Sequence, residues 1–226
     1  MTDRHIVAMG GAPFDPDDAL FRAIFDLSGA SRPRICYVPT AVGDDAWHLA
    51  RFYGAFPAAS FEPSHLPLFD RADAHPRRRL LDQDVILVGG GNTANLLAIW
   101  RLHGVDVALH EAWEAGIVLC GSSAGGNCWF EASTTDSFGP TLQPLHDGLG
   151  FLAGSFCPHY DGEPQRRPLY RRLVAEGFPA GYAADDRAGA HFVGTDLEDV
   201  IASRDGANVY RVERIEDGSV VETPLG

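Results

Sequence analysis

The sequence predicts an α/β fold: a mostly parallel sheet flanked by helices, with antiparallel β segments towards the carboxy terminus. Two continuous apolar runs, Val85-Ile86-Leu87-Val88 and Ile117-Val118-Leu119-Cys120, show no polar alternation, as strands buried on both faces require. Before and between them, strand-like and helix-like segments alternate, the pattern of parallel strands joined by crossover helices. From Ser155 onward the period shortens to two and turn signals multiply, which marks antiparallel pairing.

Ile6 to Met9 reads as the first strand and ends in Gly10-Gly11. Asp15 to Leu27 has helical spacing (Leu20, Ile24, Leu27) behind an acid-rich first turn that suits the helix dipole. Ile35 to Val38 is a second strand, stopped by Pro39. Asp45 to Phe56 reads as helix, Phe61 to Leu68 as extended chain, and Pro76 to Leu81 as a helix with three exposed arginines. Helices from Thr93 to His103 and from Val107 to Ala115 separate the two apolar runs, and a further helix is expected from Asn127 to Glu131. Arg167 to Glu176 is the last helix. Ala190 to Val193, Asp199 to Ala202 and Val209 to Val212 follow as strands of an antiparallel meander, divided by turns such as Gly194-Thr195-Asp196 and Asp205-Gly206. No repeat or linker interrupts the chain, so one domain over residues 1–226 is expected.

Acids outnumber bases 31 to 18, a formal net charge of -13, which disfavours a protein built to grip nucleic acid or an anionic membrane. Every base is an arginine. Without lysine there is no Schiff-base amine, no Ser-Lys dyad and no P-loop lysine. The four cysteines, Cys36, Cys120, Cys128 and Cys157, form no C-x-x-C pair and suit reduced thiols. The segment Met1 to Val7 has no leader-type apolar core, and no stretch approaches a membrane span, so a cytoplasmic protein is expected.

The segment richest in chemical signal is Cys120-Gly121-Ser122-Ser123-Ala124-Gly125-Gly126-Asn127. Ser123 is the centre of Gly-x-Ser-x-Gly directly after a buried strand. Such a strand-to-helix elbow strains the nucleophile's backbone, needs small neighbours, and aims the next amide, that of Ala124, at the same point. A second glycine turn, Gly89-Gly90-Gly91-Asn92-Thr93, follows the other buried strand. It fits a dinucleotide fingerprint only weakly, because the region of His110 and Glu111, where the ribose acid belongs, reads as helix. In a hydrolase its amides can supply half of an oxyanion hole. Of the nine histidines, His159 in Cys157-Pro158-His159-Tyr160 ends an apolar segment at the active-site edge, while His191 lies within a predicted strand. No ligand spacing joins the histidines, so no metal site is expected.

Together, Gly89-Gly90-Gly91-Asn92-Thr93, Gly121-Ser122-Ser123-Ala124-Gly125 and Pro158-His159-Tyr160 resemble the serine peptidases of the dipeptidase E (α-aspartyl dipeptidase) family, related to cyanophycinase. The order matches, with His159 following Ser123 by 36 residues, and the resemblance covers nearly the whole chain. It implies a class I glutamine-amidotransferase-like sheet with serine in place of the amidotransferase cysteine. Ser123 is then the nucleophile, His159 the base, and the amides of Ala124 and of Gly90 or Gly91 the oxyanion donors. The third member is an acid downstream of the histidine, best matched by Asp186 in Gly181-Tyr182-Ala183-Ala184-Asp185-Asp186. Asp136, shortly after the elbow, is the rival. Asn92, Thr93 and Arg166 are assigned to substrate binding, with Arg166 clamping a substrate carboxylate.

The resulting expectation is a cofactor-free serine exopeptidase that hydrolyses Asp-X dipeptides through an acyl-enzyme, as a monomer or homodimer, with a small peptide as partner and neither nucleic acid nor membrane. Two other readings stand beside it. One is an α/β-hydrolase-like esterase ordered Ser123, Asp161 or Asp185, then His191. The other is a non-catalytic amidotransferase-like binding module.

Overall fold

A computed structural model describes residues 3–70 and 74–226; Met1 and Thr2, where the segment read for a leader begins, lie outside the described residues, as do residues 71–73. The first half lays down β1 (His5–Met9), α1 (Ala19–Ser28), β2 (Arg34–Val38), α2 (Ala46–Ala55) and β3 (Glu62–His65). It continues with α3 (Pro76–Leu81), β4 (Val85–Val88), α4 (Thr93–His103), α5 (Val105–Glu114) and β5 (Val118–Ser122). Then come α6 (Ala124–Asn127), β6 (Phe130–Thr135), β7 (Gln143–Leu145), β8 (Leu152–Cys157) and α7 (Arg166–Ala175). The chain closes with β9 (Gly181–Ala184), β10 (Ala188–Val193), β11 (Asp196–Ala202), β12 (Val209–Arg214) and β13 (Val220–Pro224).

A seven-stranded sheet has the order β11-β10-β1-β5-β4-β2-β3, parallel from β1 to β3 and antiparallel at β10 and β11. Its central strands are apolar throughout because both faces are covered. Ile6, Ala8, Ile86, Val88 and Leu119 pack with Leu97 and Trp100 of α4 and Leu109 of α5. The alternate residues Val7, Met9, Val85, Leu87 and Cys120 pack with Leu20 and Ile24 of α1 and Phe52 of α2. A six-stranded sheet, ordered β13-β12-β9-β8-β6-β7, carries α7 against it through Tyr170 and Val174. Among the described residues no helix is long and apolar enough to cross a membrane.

Three expectations are corrected in detail. The acids before α1 do not fill its first turn; Asp18 is the N-cap, accepting the Leu20 amide at 2.9 Å, and the helix begins at Ala19. The helix expected over 127–131 ends at Asn127, because Phe130 turns into the core to stack on Phe156 at 5.0 Å and the chain runs on as β6 beside β8. The late strands are not one meander. The corner at residues 185–187 switches sheets, so the β10–β11 hairpin extends the large sheet through β1, while β12 and β13 join β9 in the second. The free ends of β1, β4 and β5 therefore meet that corner and the end of β8, where loop residues gather over a parallel sheet.

Candidate active site

Ser123 occupies the step between β5 and α6 with φ 57° and ψ -114°, a conformation that costs a residue with a side chain about 1–3 kcal/mol. The surroundings enforce it. The Ser123 amide donates to Met9 O at 3.1 Å, and the Ser123 carbonyl accepts from the Gly126 and Asn127 amides at 2.9 Å each. A Cβ on Gly125 would strike the Val88 carbonyl, and one on Gly126 would lie 2.8 Å from the Phe156 ring. The small residues let α6 sit directly on the ends of β4 and β5. Among the described residues the amides of Gly90, Gly91 and Ala124 make no hydrogen bond, and a Cβ built on Gly90 would stand 3.9 Å from Ser123 Oγ. Unpaired donors thus border the serine.

His159 follows the end of β8 in the left-handed region, φ 53°. Its neighbour anchors it: Tyr160 is buried, its amide donates to Ala184 O at 3.0 Å, and its hydroxyl donates to Glu222. Burial is the first cause, and the bond to Glu222 the second, that pushes the Tyr160 phenol up, so it stays a donor there. His159 Nδ1 lies 2.6 Å from Asp186 Oδ1. The Asp186 backbone is fixed from two sides. Its amide donates to Asp161 Oδ1 at 2.8 Å, and its carbonyl accepts from Arg204 at 3.1 Å, whose guanidinium also pairs with Asp161. A Cβ on Gly11 would collide with the Asp186 carboxylate and lie 2.8 Å from the imidazole, so only glycine lets β1 end beside this pair.

A cleft of about 350 Å³ opens over these groups, lined by Gly11 to Phe14, Tyr37, His48, Arg51, Gly89 to Gly91, Ser122, Ser123 and His159. The four cysteines are buried; burial pushes Cys157 up to about 12, Cys120 higher still and Cys128 well above its ordinary value, so these three are not poised thiolates. Among the described residues no three His, Cys, Asp or Glu side chains are placed to hold a metal ion.

The structure brings Ser123, His159, Asp186, Gly90, Gly91 and Ala124 to one place. It does not bring the other expected residues. Asp136 is exposed in the turn after β6, and its described hydrogen bond is through its carbonyl to Gly139. Arg166 is 3% exposed, with Nε on Glu163 at 2.8 Å and Nη1 on the Thr134 carbonyl at 3.0 Å, so its fork is already filled. Asn92 caps α4 by accepting from the Asn95 amide and donates to Ser137 O. Thr93 is buried, bonded to Asn127 and Thr135. Both are spent on the fold rather than aimed into the cleft. The esterase ordering is also absent: His191 Nε2 faces His5 Nδ1 at 3.1 Å, and Asp185 is buried against the Asn208 amide.

Sequence reasoning missed Tyr37, His48 and Arg51. The available signal was the helical spacing that puts Trp47, His48 and Arg51 on neighbouring positions of one turn of α2.

The sequence model of peptidase family S51 matches residues 6–200. The chain is 48% identical over 226 residues, 98% of this chain and 97% of the other, to a protein of Bacillus subtilis (strain 168) described as an uncharacterized peptidase, YgaJ. It is 31% identical over 133 residues to peptidase E of Streptomyces coelicolor, covering 58% of this chain and 53% of that one. The fold is similar to the crystal structure of a peptidase from an acI-B1 actinobacterium, with a TM-score of 0.73 at 17% identity, covering 99% of this chain and 94% of that chain.

Proposed function

Since the chain belongs to peptidase family S51 and is a serine-type peptidase, we propose that it is a dipeptidase that hydrolyses the bond after an amino-terminal aspartate through a Ser123-His159-Asp186 acyl-enzyme mechanism. The observation that supports it is the 2.6 Å contact of His159 Nδ1 with Asp186, in the same cleft as a serine held at φ 57°. With Nδ1 engaged, Nε2 is the nitrogen left to exchange a proton.

In this reading Ser123 Oγ attacks the scissile carbonyl carbon while its proton passes to His159 Nε2. The carbonyl electron pair moves onto oxygen, where the amides of Gly90, Gly91 and Ala124 receive the negative charge. Collapse breaks the C–N bond, and the departing amine takes the proton from His159. Water then gives a proton to the same nitrogen as it attacks the ester carbon, and the serine recovers its proton as the acid product leaves. Asp186 holds the tautomer and stabilises the imidazolium. The buried free thiols of Cys120, Cys128 and Cys157 fit a cytoplasmic location.

The test is a dipeptide panel of Asp-X, Glu-X, Asn-X and neutral-X members with an amino-blocked Asp-X, run beside a fluorophosphonate probe. Cleavage confined to free Asp-X, with Ser123 labelled, is the expected result. Labelling with equal cleavage of Asn-X or blocked peptides would remove the proposed specificity, and an unlabelled, active enzyme would remove the acyl-enzyme.

A further inference from the structure

We infer that Arg51, on α2, receives the side-chain carboxylate of the substrate's amino-terminal residue, with the Tyr37 hydroxyl as a second donor; this deepens the Asp-X reading and rests on it. A net charge of -13 repels an acidic peptide at long range, so its binding needs a local cation. Among the described residues no Asp or Glu lines the cleft, and Arg51 is the one lining residue with a permanent charge.

Arg51 also differs from the arginines already committed to the fold. Arg34 is bonded to Asp82 and Asp84, Arg166 to Glu163, and Arg187 to Asp18. Among the described residues Arg51 has no carboxylate partner. It is held by its flat face instead, 4.7 Å from the Trp47 ring and 6.0 Å from that of Phe14. Stacking orients a guanidinium while leaving its N–H edge free for a bidentate acceptor. The neighbouring acids take their hydrogen bonds from other groups. Asp45 accepts from the Trp47 and His48 amides and the His48 ring, and Asp44 accepts from the Leu68 and Phe69 amides through Oδ2, while its buried Oδ1 makes no hydrogen bond among the described residues, to Arg51 or to any other group.

Tyr37 supplies the second donor. It is buried, its hydroxyl makes no hydrogen bond among the described residues, and it stands against the first glycine loop, where a Cβ on Gly89 would lie 2.5 Å from that hydroxyl. Burial pushes its phenol up to about 12, which keeps the proton on at neutral pH.

Selectivity decides which carboxylate is held. Every dipeptide has a carboxy-terminal carboxylate, so a preference for Asp-X over Asn-X needs a cation at the side chain of the amino-terminal residue. Arg51 and Tyr37 share one wall of the cleft: the Phe14 ring stands edge-on to Tyr37 at 5.2 Å and lies 6.0 Å from the Arg51 guanidinium.

The experiment compares kcat and KM for Asp-X, Asn-X and carboxy-amidated Asp-X in the wild type, Arg51→Met and Arg51→Lys. It adds calorimetric binding of Asp-X and Asn-X to Ser123→Ala with and without Arg51→Met, a readout that needs no turnover. Arg51→Met is expected to raise KM for both Asp-X forms roughly 10- to 100-fold, the worth of a charge-assisted bond, and to erase the Asp-over-Asn ratio in both assays. Arg51→Lys should restore part of it. A wild type that prefers Asp-X, with the preference intact in Arg51→Met, overturns the role of Arg51 and leaves the Asp-X reading standing. Loss confined to free-carboxylate peptides moves Arg51 to the peptide's carboxy terminus and overturns the assignment. A wild type with no Asp preference sinks the Asp-X reading, and the assignment with it.

Discussion

His159 and Asp186 meet through a 2.6 Å contact although one follows a strand of the smaller sheet and the other sits where the chain crosses to the larger. The contact is therefore a product of the sheet switch. Asp186 forms a bridge with Gly11 at the end of β1, and Arg187 donates its amide to the Gly11 carbonyl at 2.6 Å, so β1 carries the acid to the imidazole. Asp161 and Arg204 close the other side, which sets the carboxylate without committing its own oxygens to them.

Asp186→Asn should reduce kcat by up to about 10⁴-fold, the cost of neutralising an orienting acid and turning the imidazole to the wrong tautomer. The side chain is partly exposed, so thermal stability should barely move. Asp136→Asn should keep near-wild-type kinetics, because Asp136 stands exposed in a turn. Steady-state kinetics of the two variants check this, and the reverse ranking would transfer the role to Asp136.

Ser123 predicts a separation of stability from activity. Both Ser123→Ala and Ser123→Gly should lose roughly six orders of magnitude in turnover, as triad members act as a unit. At φ 57° alanine keeps the strain, whereas glycine is relieved of about 1–3 kcal/mol and loses back about 0.4–1 kcal/mol through its freer unfolded chain. Ser123→Gly should thus be the more stable by about 1 kcal/mol in chemical denaturation. Equal midpoints would mean that the elbow stores no strain.

The parallel half of the fold was legible because double-sided burial writes itself as unbroken apolar runs. Residues 85–88 and 117–120 left no alternative, and Ser123 and Gly90 were legible from the loops that follow them. The second sheet was harder to read. Strand β6 (Phe130–Thr135) follows a helix of only four residues, and its pairing with β8 is a long-range event that no local period announces. The same limit hid Arg51. An arginine on a surface helix reads as solvated until the fold lays that helix across a cleft, and Arg166 erred the other way, its nearness to His159 in sequence concealing its burial.

Arg166 accordingly carries a structural prediction. Its removal leaves the Thr134 carbonyl buried without that donor, and the half-exposed Glu163 without its cation. Arg166→Met should cost roughly 1.5–3 kcal/mol in urea unfolding, the range for bonds to charged groups, with the Asp-over-Asn ratio of the folded enzyme unchanged. A collapse of that ratio at full stability would restore Arg166 as the clamp.

The pair of His5 and His191 sets a pH dependence of stability distinct from catalysis. His5 Nδ1 and His191 Nε2 are 3.1 Å apart on the antiparallel strands β1 and β10. Burial, and after it the neighbouring His5, hold His191 below its ordinary value, against the weaker opposing pull of Asp199 and Glu198. With the folded value depressed, the unfolded chain binds the extra proton first. Stability is then fully present above the ordinary histidine value of 6.5 and declines as pH falls from there through the folded one. Wild type and His191→Gln should show parallel stability between pH 8 and pH 7 on this count and diverge below about pH 6.5, the variant losing less. Denaturation midpoints across that range measure the difference. A variant whose midpoint falls as steeply as the wild type below pH 6.5 would assign the acid sensitivity to the carboxylates instead.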